Sequence, residues 1–551
     1  MAPVVELPVV RSGEVRSVAK RPELVALVRP PRVSSPGSWS AQLIAPIGLA
    51  YLASMLREAG HRVMAVDAIG EAQEQLLKAD GYLFQGLTPD ELVERIDPES
   101  TIIGVSCMFT QDWPSSRRVI QDVRRRFPHA LIVAGGEHIT ACDEFCLRDC
   151  PELDVCARGE GEETIVELAN AFQGRDRLES LSGVSGISWI RDGVYQQTAP
   201  RQRIREVDQI PRPSWDLFPM EAYLASTSTF GVYRGRSLGI LATRGCPYKC
   251  TFCSNPAMYG NLWVARSPAD VVDEIQDYVN RFRIDNVDFL DLTMVVRRRW
   301  ILEFCQLLEE RGLRLTWQLP SGTRSEMLDA EVAQALFRTG CRNLALAPES
   351  GSPEVLQKVK KQLQLPNVLR AARACSQNGI HLRINIVIGF PDETRRQILQ
   401  TIWFVWKLAC VGAEDCEFAV FSPYPGTELF DRLRAEGVIQ ELDDEYFRSL
   451  TSSKNFGTAA SYCQRMGNRE LHFWRLLGMS TFYLLTVIRQ PLRPFKVLWR
   501  LLVNRNRETV LDNRLSEMLH RPRAKEVPVS VVVRTESSSP ATGGQLEHAA
   551  L

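Results

Sequence analysis

Arg244-Gly-Cys246-Pro-Tyr-Lys-Cys250-Thr-Phe-Cys253 follows directly on the apolar run Leu238–Thr243. Three thiols within eight residues, in a loop opened by a glycine, can converge on one soft metal centre. Cysteine thiolates at such spacings hold iron–sulfur clusters. A structural zinc site would need a fourth ligand, usually a second C-x-x-C or a His pair, and none stands nearby. Three protein ligands leave one iron of a four-iron cluster open to another molecule. The strand before this loop starts a strand–helix alternation that continues to about Leu433. Its strand candidates are Leu238–Thr243, Asn286–Leu290, Leu315–Gln318, Asn343–Ala347, Leu382–Ile388 and Glu417–Phe421. Six strands with intervening helices predict a barrel or partial barrel, with its active-site face at the strand C-termini. Asp291 closes the second strand on that face.

Upstream, a separate alternation of short apolar strands and helices predicts a parallel, doubly wound sheet. Its strands read as 24–28, 62–67, 101–108, 130–134 and 153–157, with helices at 47–59, 114–127 and 163–172. Gly135-Gly136 and Gly159-Glu160-Gly161 follow two of these strands, where small residues let a large flat ligand approach the backbone. No G-x-G-x-x-G follows the first strand, which disfavours a dinucleotide. The division expected is a disordered lead (1–21), the Rossmann-like domain (22–175) and a linker with a hairpin around Asp192-Gly193 (176–235). The partial barrel (236–440), a helical C-terminal region (441–520) and a disordered tail (521–551) follow.

The 551 residues are 45% apolar and 24% charged, an ordinary globular composition, and correspond to about three or four domains. Sixty-six Lys and Arg balance 66 Asp and Glu, which gives no support to nucleic-acid binding over a whole surface. No uninterrupted apolar run reaches the roughly 18 residues that span a bilayer, and the first twenty residues lack a signal-peptide core. A cytoplasmic chain is the expectation. Fourteen cysteines in a reducing compartment point to metal binding or chemistry rather than a disulfide framework. Cys142, Cys146 and Cys150 fall at i, i+4, i+8 on a helix, with Cys156 on the next strand. That pattern could hold a second cluster, but thiols packed against a sheet are the preferred reading. Leu471 to Leu502 mixes apolar residues with Arg475, Arg489, Arg493, Lys496 and Arg500. It reads either as helices capping the barrel mouth or as a basic amphipathic stretch that touches anionic lipid.

The cysteine triplet resembles the C-x-x-x-C-x-aromatic-C signature of the radical S-adenosylmethionine (SAM) enzymes, with Phe252 in the aromatic position. Ala347-Pro-Glu349-Ser-Gly-Ser and Ile386-Val-Ile-Gly389-Phe-Pro391 resemble later family segments. Pro46-Ile-Gly48-Leu-Ala-Tyr51, Ala134-Gly-Gly136-Glu-His138 and Ala157-Arg-Gly159-Glu-Gly161 resemble the cobalamin-binding domain fused to one radical SAM subgroup. The resemblance covers residues 22–440. It implies an α/β chain: a Rossmann-like cobalamin-binding domain, a partial TIM-type (β/α)6 radical SAM barrel and a C-terminal helical segment. The implied cofactors are a 4Fe–4S cluster on Cys246, Cys250 and Cys253, SAM, and cobalamin. Phe252, Asp291, Glu349 and Gly389 are implied near SAM; Ser106, Gly135, Gly136, Gly159, Glu160 and Gly161 are implied near the corrin. One departure stands out: there is no Asp-x-His-x-x-Gly motif, since Asp67-Ala-Ile-Gly70 lacks its histidine. The lower cobalt ligand is therefore not expected to be an imidazole from that loop.

The activity implied is a cobalamin-dependent radical SAM methyltransferase. It would methylate an unactivated carbon of a small-molecule or lipid-like substrate through the 5′-deoxyadenosyl radical and methylcobalamin, with flavodoxin or ferredoxin as reductant. An anaerobic porphyrin cyclase-like enzyme that rearranges without methyl transfer, and a non-catalytic cobalamin sensor or carrier, are the alternatives.

Overall fold

A computed structural model describes residues 21–36, 42–451, 460–501, 507–520 and 523–532. The disordered lead expected over 1–21 lies outside the described residues except for Arg21. In chain order the strands of the N-terminal half are β1 (Leu24–Arg29), β2 (Arg32–Ser34), β3 (Arg62–Asp67), β4 (Leu76–Ala79) and β5 (Tyr82–Gln85). They continue with β6 (Ile102–Ser106), β7 (Leu131–Gly135), β8 (Val155–Ala157), β9 (Ile187–Arg191) and β10 (Val194–Gln197). β1 reads Leu-Val-Ala-Leu-Val because helices cover both faces of its sheet, and alternation is lost when both faces are buried. The five parallel strands run β3-β1-β6-β7-β8. The order reverses between β1 and β6, the place where open α/β sheets bind ligands beyond their strand C-termini.

The hairpin around Asp192-Gly193 is present, yet it does not belong to a linker. β9 pairs antiparallel with β8 and makes β9 and β10 the edge of the seven-stranded sheet. The Pro-punctuated stretch after it is also packed. Trp215, Phe218, Met220, Tyr223 and Leu224 are buried, Trp215 donates to the Tyr278 hydroxyl at 2.8 Å, and Tyr223 donates to Asp67 at 2.6 Å. Prolines broke regular structure there without removing the apolar side chains that fill the seam between the two halves.

The second half begins with β11 (Ser237–Ile240), β12 (Thr243–Arg244) and β13 (Val264–Ala265). β14 (Asn286–Phe289), β15 (Thr316–Thr323), β16 (Cys341–Glu349), β17 (His381–Ile388) and β18 (Asp415–Val420) follow. β11 and β14 to β18 pair in parallel in sequence order, an open six-stranded partial barrel with helices between its strands. β12 and β13 form a two-stranded ribbon at the top of the first barrel strand.

Three expectations about the C-terminal region are corrected. The Asn468–Arg489 helix averages a hydropathy of 1.3 over its most apolar window, long and apolar enough to cross a membrane by length and composition. Counting uninterrupted apolar residues overlooked it because Gly478, Ser480 and Thr481 interrupt the run. This helix does not cap the barrel mouth: it starts beside Gly389, where Leu471 packs, and then lies along β18, with Gly478 against the Phe418 ring. Residues 507–513 dock at the opposite end, where Val510 donates to Asp415 at 2.6 Å and Asn343 to the Glu508 carbonyl at 2.9 Å. Finally, part of the expected tail is ordered. β19 (Lys525–Glu526) pairs with β4 in a small sheet β19-β4-β5-β2, and Val532 is buried with Val33, Leu77 and Phe84. The unpaired edge of β4 and the valines after β19 explain why this polar-looking stretch is held.

Candidate active site

The cysteine loop leaves β12 through Gly245, whose φ of +78° and the Leu262 carbonyl 2.3 Å from any added Cβ admit only glycine. Backbone bonds hold the loop from two sides: Thr251 donates to the Val359 carbonyl at 3.1 Å and Leu429 to the Thr251 carbonyl at 3.0 Å. Asn255 donates to the carbonyls of Cys246 and Gly260, clamping both ends of the turn. Cys246, Cys250 and Cys253 are free and half-buried. Their sulfurs are spread more widely than one ion requires. Among the described residues only His138, Cys142 and Cys146 bring three ligand atoms within 4.8 Å of one another. Three free thiols in one loop are the donor type that 4Fe–4S clusters take, so this donor set fits such a cluster. Burial pushes the Cys253 thiol up to about 12, against a hydrogen bond from the Asn255 backbone. Burial also raises Cys250, opposed by Lys361 and Arg324. Burial thus makes Cys250 and Cys253 hold their protons more tightly than a free thiol, and metal loading must release those protons.

Around this loop the structure gathers several of the residues expected near SAM. Phe252 packs on Phe390 at 5.5 Å, and Phe390 on Phe421 at 5.3 Å, an aromatic ladder to the ends of β17 and β18. Glu349 ends β16 in a left-handed conformation, φ +64°, and accepts from Lys361 at 2.9 Å. Gly389, φ +82°, donates to Glu393 at 2.6 Å and has Leu471 against its α-carbon. Burial raises Glu393 to about 7, opposed by the Gly389 and Phe390 amides. Asp291 is different. Its carboxylate accepts from Thr243 at 2.6 Å and from the Ala242 amide at 3.2 Å, so it braces the strand that delivers the loop. Burial raises it to about 6, against those hydrogen bonds.

The C-terminal ends of β6, β7 and β8 face the same loop. Ser106 is half-buried and lies beside Gly135 in register. Gly136 has φ +126° and would drive a Cβ into the Cys107 carbonyl at 2.6 Å, so it lets β6 and β7 approach. Gly159 has open space above it, with only the Met258 carbonyl at 4.0 Å, whereas Gly161 lies against Leu52. Thr140 accepts from the Gly159 amide at 3.0 Å and donates to the Gly136 carbonyl at 2.9 Å, tying the two glycine loops together. Met108 and Phe109, just beyond β6, are 45% and 53% exposed. Apolar side chains left open beside a glycine-lined floor, at the topological switch point, fit a large flat ligand such as a corrin. Glu160 does not face that floor: it is buried and accepts from Arg203 at 2.8 Å, Arg244 at 3.2 Å and the Ile204 amide at 2.9 Å.

Those bonds join the two halves. Arg244, the residue before the cysteine loop, pairs with Glu160 and with Glu162 at 2.6 Å. Glu137, in the first turn of the helix after Gly136, takes a hydrogen bond from Ser254, immediately after Cys253. The glycine floor and the cysteine loop are therefore neighbours. Sequence reading missed Lys361, Arg324, Arg244 and Glu162, because a basic residue after a helix or an acidic residue in a first turn looks like an ordinary solvated charge. Met108 and Phe109 had a signal, two bulky apolar residues beyond the end of a strand, but no periodicity distinguished them from core.

A model of the B12 binding domain matches residues 40–169, and a model of the radical SAM superfamily matches residues 240–405. An uncharacterised methyltransferase of Pyrococcus horikoshii is 30% identical over 420 residues, 76% of this chain and 85% of the relative. The anaerobic magnesium-protoporphyrin IX monomethyl ester cyclase of Cereibacter sphaeroides is 24% identical, over 83% of this chain and 72% of its own. Among solved structures, the radical S-adenosylmethionine methyltransferase TsrM from Kitasatospora setae shares the fold. Its TM-score is 0.58 at 19% identity over 76% of each chain.

Proposed function

The chain belongs to the cobalamin-dependent radical SAM enzymes, and from that premise we propose that it is a C-methyltransferase acting on a small-molecule or lipid-like substrate. When bound, the cluster with SAM supplies a 5′-deoxyadenosyl radical and the corrin carries the methyl group. The observation that carries the reading is the contact of the Gly136 and Gly159 floor with the Cys246–Cys253 loop through Glu137–Ser254 and Glu160–Arg244. Two reacting groups held on adjoining strand ends gain from proximity and fixed orientation. In this reading Cys246, Cys250 and Cys253 hold the cluster, Phe252 and Gly389 shape the SAM pocket, and Glu349 with Lys361 meets SAM's charged end. Ser106, Gly135, Gly136 and Gly159 receive the corrin, while Asp291, Glu160 and Gly161 act as positioning residues. A flavodoxin or ferredoxin is the reductant.

The reading also includes a cytoplasmic chain that touches a membrane peripherally. Leu484, Ile488, Leu492, Phe495 and Trp499 are 59–70% exposed and recur three or four residues apart along the C-terminal helices. An apolar face of that extent calls for a partner surface, and a lipid surface would deliver a lipid-like substrate.

The test supplies SAM labelled on its methyl group to the anaerobic, reductively activated holoenzyme with fractionated lipid and small-molecule extracts. Label in a product, with S-adenosylhomocysteine and 5′-deoxyadenosine formed together, is the result expected. 5′-Deoxyadenosine without label transfer would replace methylation by the cyclase-type rearrangement, and no SAM cleavage at all would leave a cobalamin carrier.

A further inference from the structure

We propose that His138, Cys142 and Cys146 hold a zinc ion, a metal site separate from the Cys246–Cys253 loop. All three lie on the Glu137–Asp149 helix, at i, i+4 and i+8. In an unbroken helix the first and last would stand about 12 Å apart along the axis, too far to share one ion. The helix is broken at Cys142, where φ is −151° and ψ is 46°. The break brings Cys146 back beneath His138. His138 Nε2 then lies 3.7 Å from Cys142 Sγ and 3.4 Å from Cys146 Sγ, with all ligand atoms within 4.8 Å of one another.

The two distances to Nε2 are near those the metal sets. Tetrahedral zinc with Zn–S of about 2.3 Å and Zn–N of about 2.0–2.1 Å sets S···N near about 3.6 Å and S···S near about 3.8 Å. His138 Nε2 stands near that distance from both sulfurs. The Cys142 sulfur also lies 3.3 Å from Nδ1 and donates to the His138 carbonyl at 3.1 Å, and its side chain turns toward Nε2 to take the ion. The donor set, one imidazole and two thiols, is soft and selects zinc over magnesium or calcium. Its surroundings fix the ring: Trp113 lies 5.2 Å from the His138 ring centroid and Phe447 sits edge-on at 5.8 Å. His138 and Cys146 are buried, while Cys142 is half-buried and gives the ion a way in. The fourth position falls to water, as in zinc sites with three protein ligands. Cys150, which the sequence pattern groups with the other two, points to Glu152 instead and takes no part. The ion would lock the two pieces of the helix together and so hold Glu137 against Ser254.

The test is metal analysis of anaerobically isolated holoenzyme, loaded with cluster and cobalamin and then incubated with zinc chloride and desalted. One zinc per chain beside the cluster iron is expected, and the Cys142→Ala/Cys146→Ala variant should lose at least nine-tenths of it with its iron content unchanged. Cys375→Ala, a buried thiol elsewhere, should keep it. Zinc retained by the double variant, or less than about a tenth of an equivalent on the unmodified protein, would overturn the assignment. Zinc K-edge absorption on the unmodified holoenzyme needs no variant to fold: two sulfur scatterers and a histidine are expected, and a shell without sulfur would sink the site.

Discussion

Lys361 carries a charge into the interior beside Cys250 and Phe252, with Glu349 at 2.9 Å as its partner. Burial works against that charge, yet the Glu349 carboxylate, with the Cys250 sulfur when ionised, more than offsets it, and the lysine pKa lies above its ordinary value. Removing one member of such a pair leaves the other uncompensated, at a cost of about 3–5 kcal/mol, whereas removing both is far milder. Lys361→Met is therefore expected to lower the unfolding free energy by that amount, and Lys361→Met/Glu349→Gln to recover most of it, read in urea titrations. Asp291 makes a second prediction. Its folded-state pKa, raised to about 6 by burial, exceeds that of the unfolded chain. The folded state thus holds the proton more tightly, and the stability this contributes is complete below about pH 4 and lost as pH rises through about 6. Between pH 4 and 6 the parent should lose about 2 kcal/mol relative to Asp291→Asn. Equal slopes in unfolding free energy between pH 4 and 6 would refute this. None of these partners was legible in sequence, because each pair joins residues from different strands or loops.

The Asn468–Arg489 helix shows how one small residue seats a whole element. A Cβ at Gly478 would lie 2.6 Å from the Phe418 ring, so glycine is what lets the helix lie against β18. Gly478→Leu is expected to push the helix off the strand and to cost about 1–3 kcal/mol, the usual range for overpacking. Thermal unfolding should show it, and near-parental stability would mean the helix seats elsewhere. The strands of both sheets were visible beforehand as apolar runs, since each is buried by helices on its faces. β2, β4, β5 and β19 were not, being two to four residues long and recognisable only once a partner edge is in place. The membership of the hairpin was hidden for the same reason, as pairing with β8 leaves no local mark.

On the scale of the whole molecule, the exposed apolar face is also less basic than the sequence implied. Arg475 and Arg493 are buried, and Arg500 pairs with Glu508 and Asp512, which leaves Arg489 and Lys496 in solvent. Vesicle binding by this face is expected to rest on apolar area and to survive moderate salt. Leu492→Ser/Phe495→Ser/Trp499→Ser should weaken co-sedimentation with anionic vesicles by at least about tenfold, at about 1 kcal/mol or more for each partly buried side chain. Full binding by this variant, or abolition of parental binding at 0.3 M salt, would rule out an apolar contact. By itself, the sequence determined the two α/β units, the cysteine loop and the glycine floor, because hydrophobic period and ligand spacing are written along the chain. Only the tertiary structure decided how the floor meets the loop, which protein groups Asp291 and Glu160 pair with, and that a broken helix brings His138 to Cys142 and Cys146. Those outcomes depend on distances between residues far apart in sequence, or on a backbone break that no local spacing encodes.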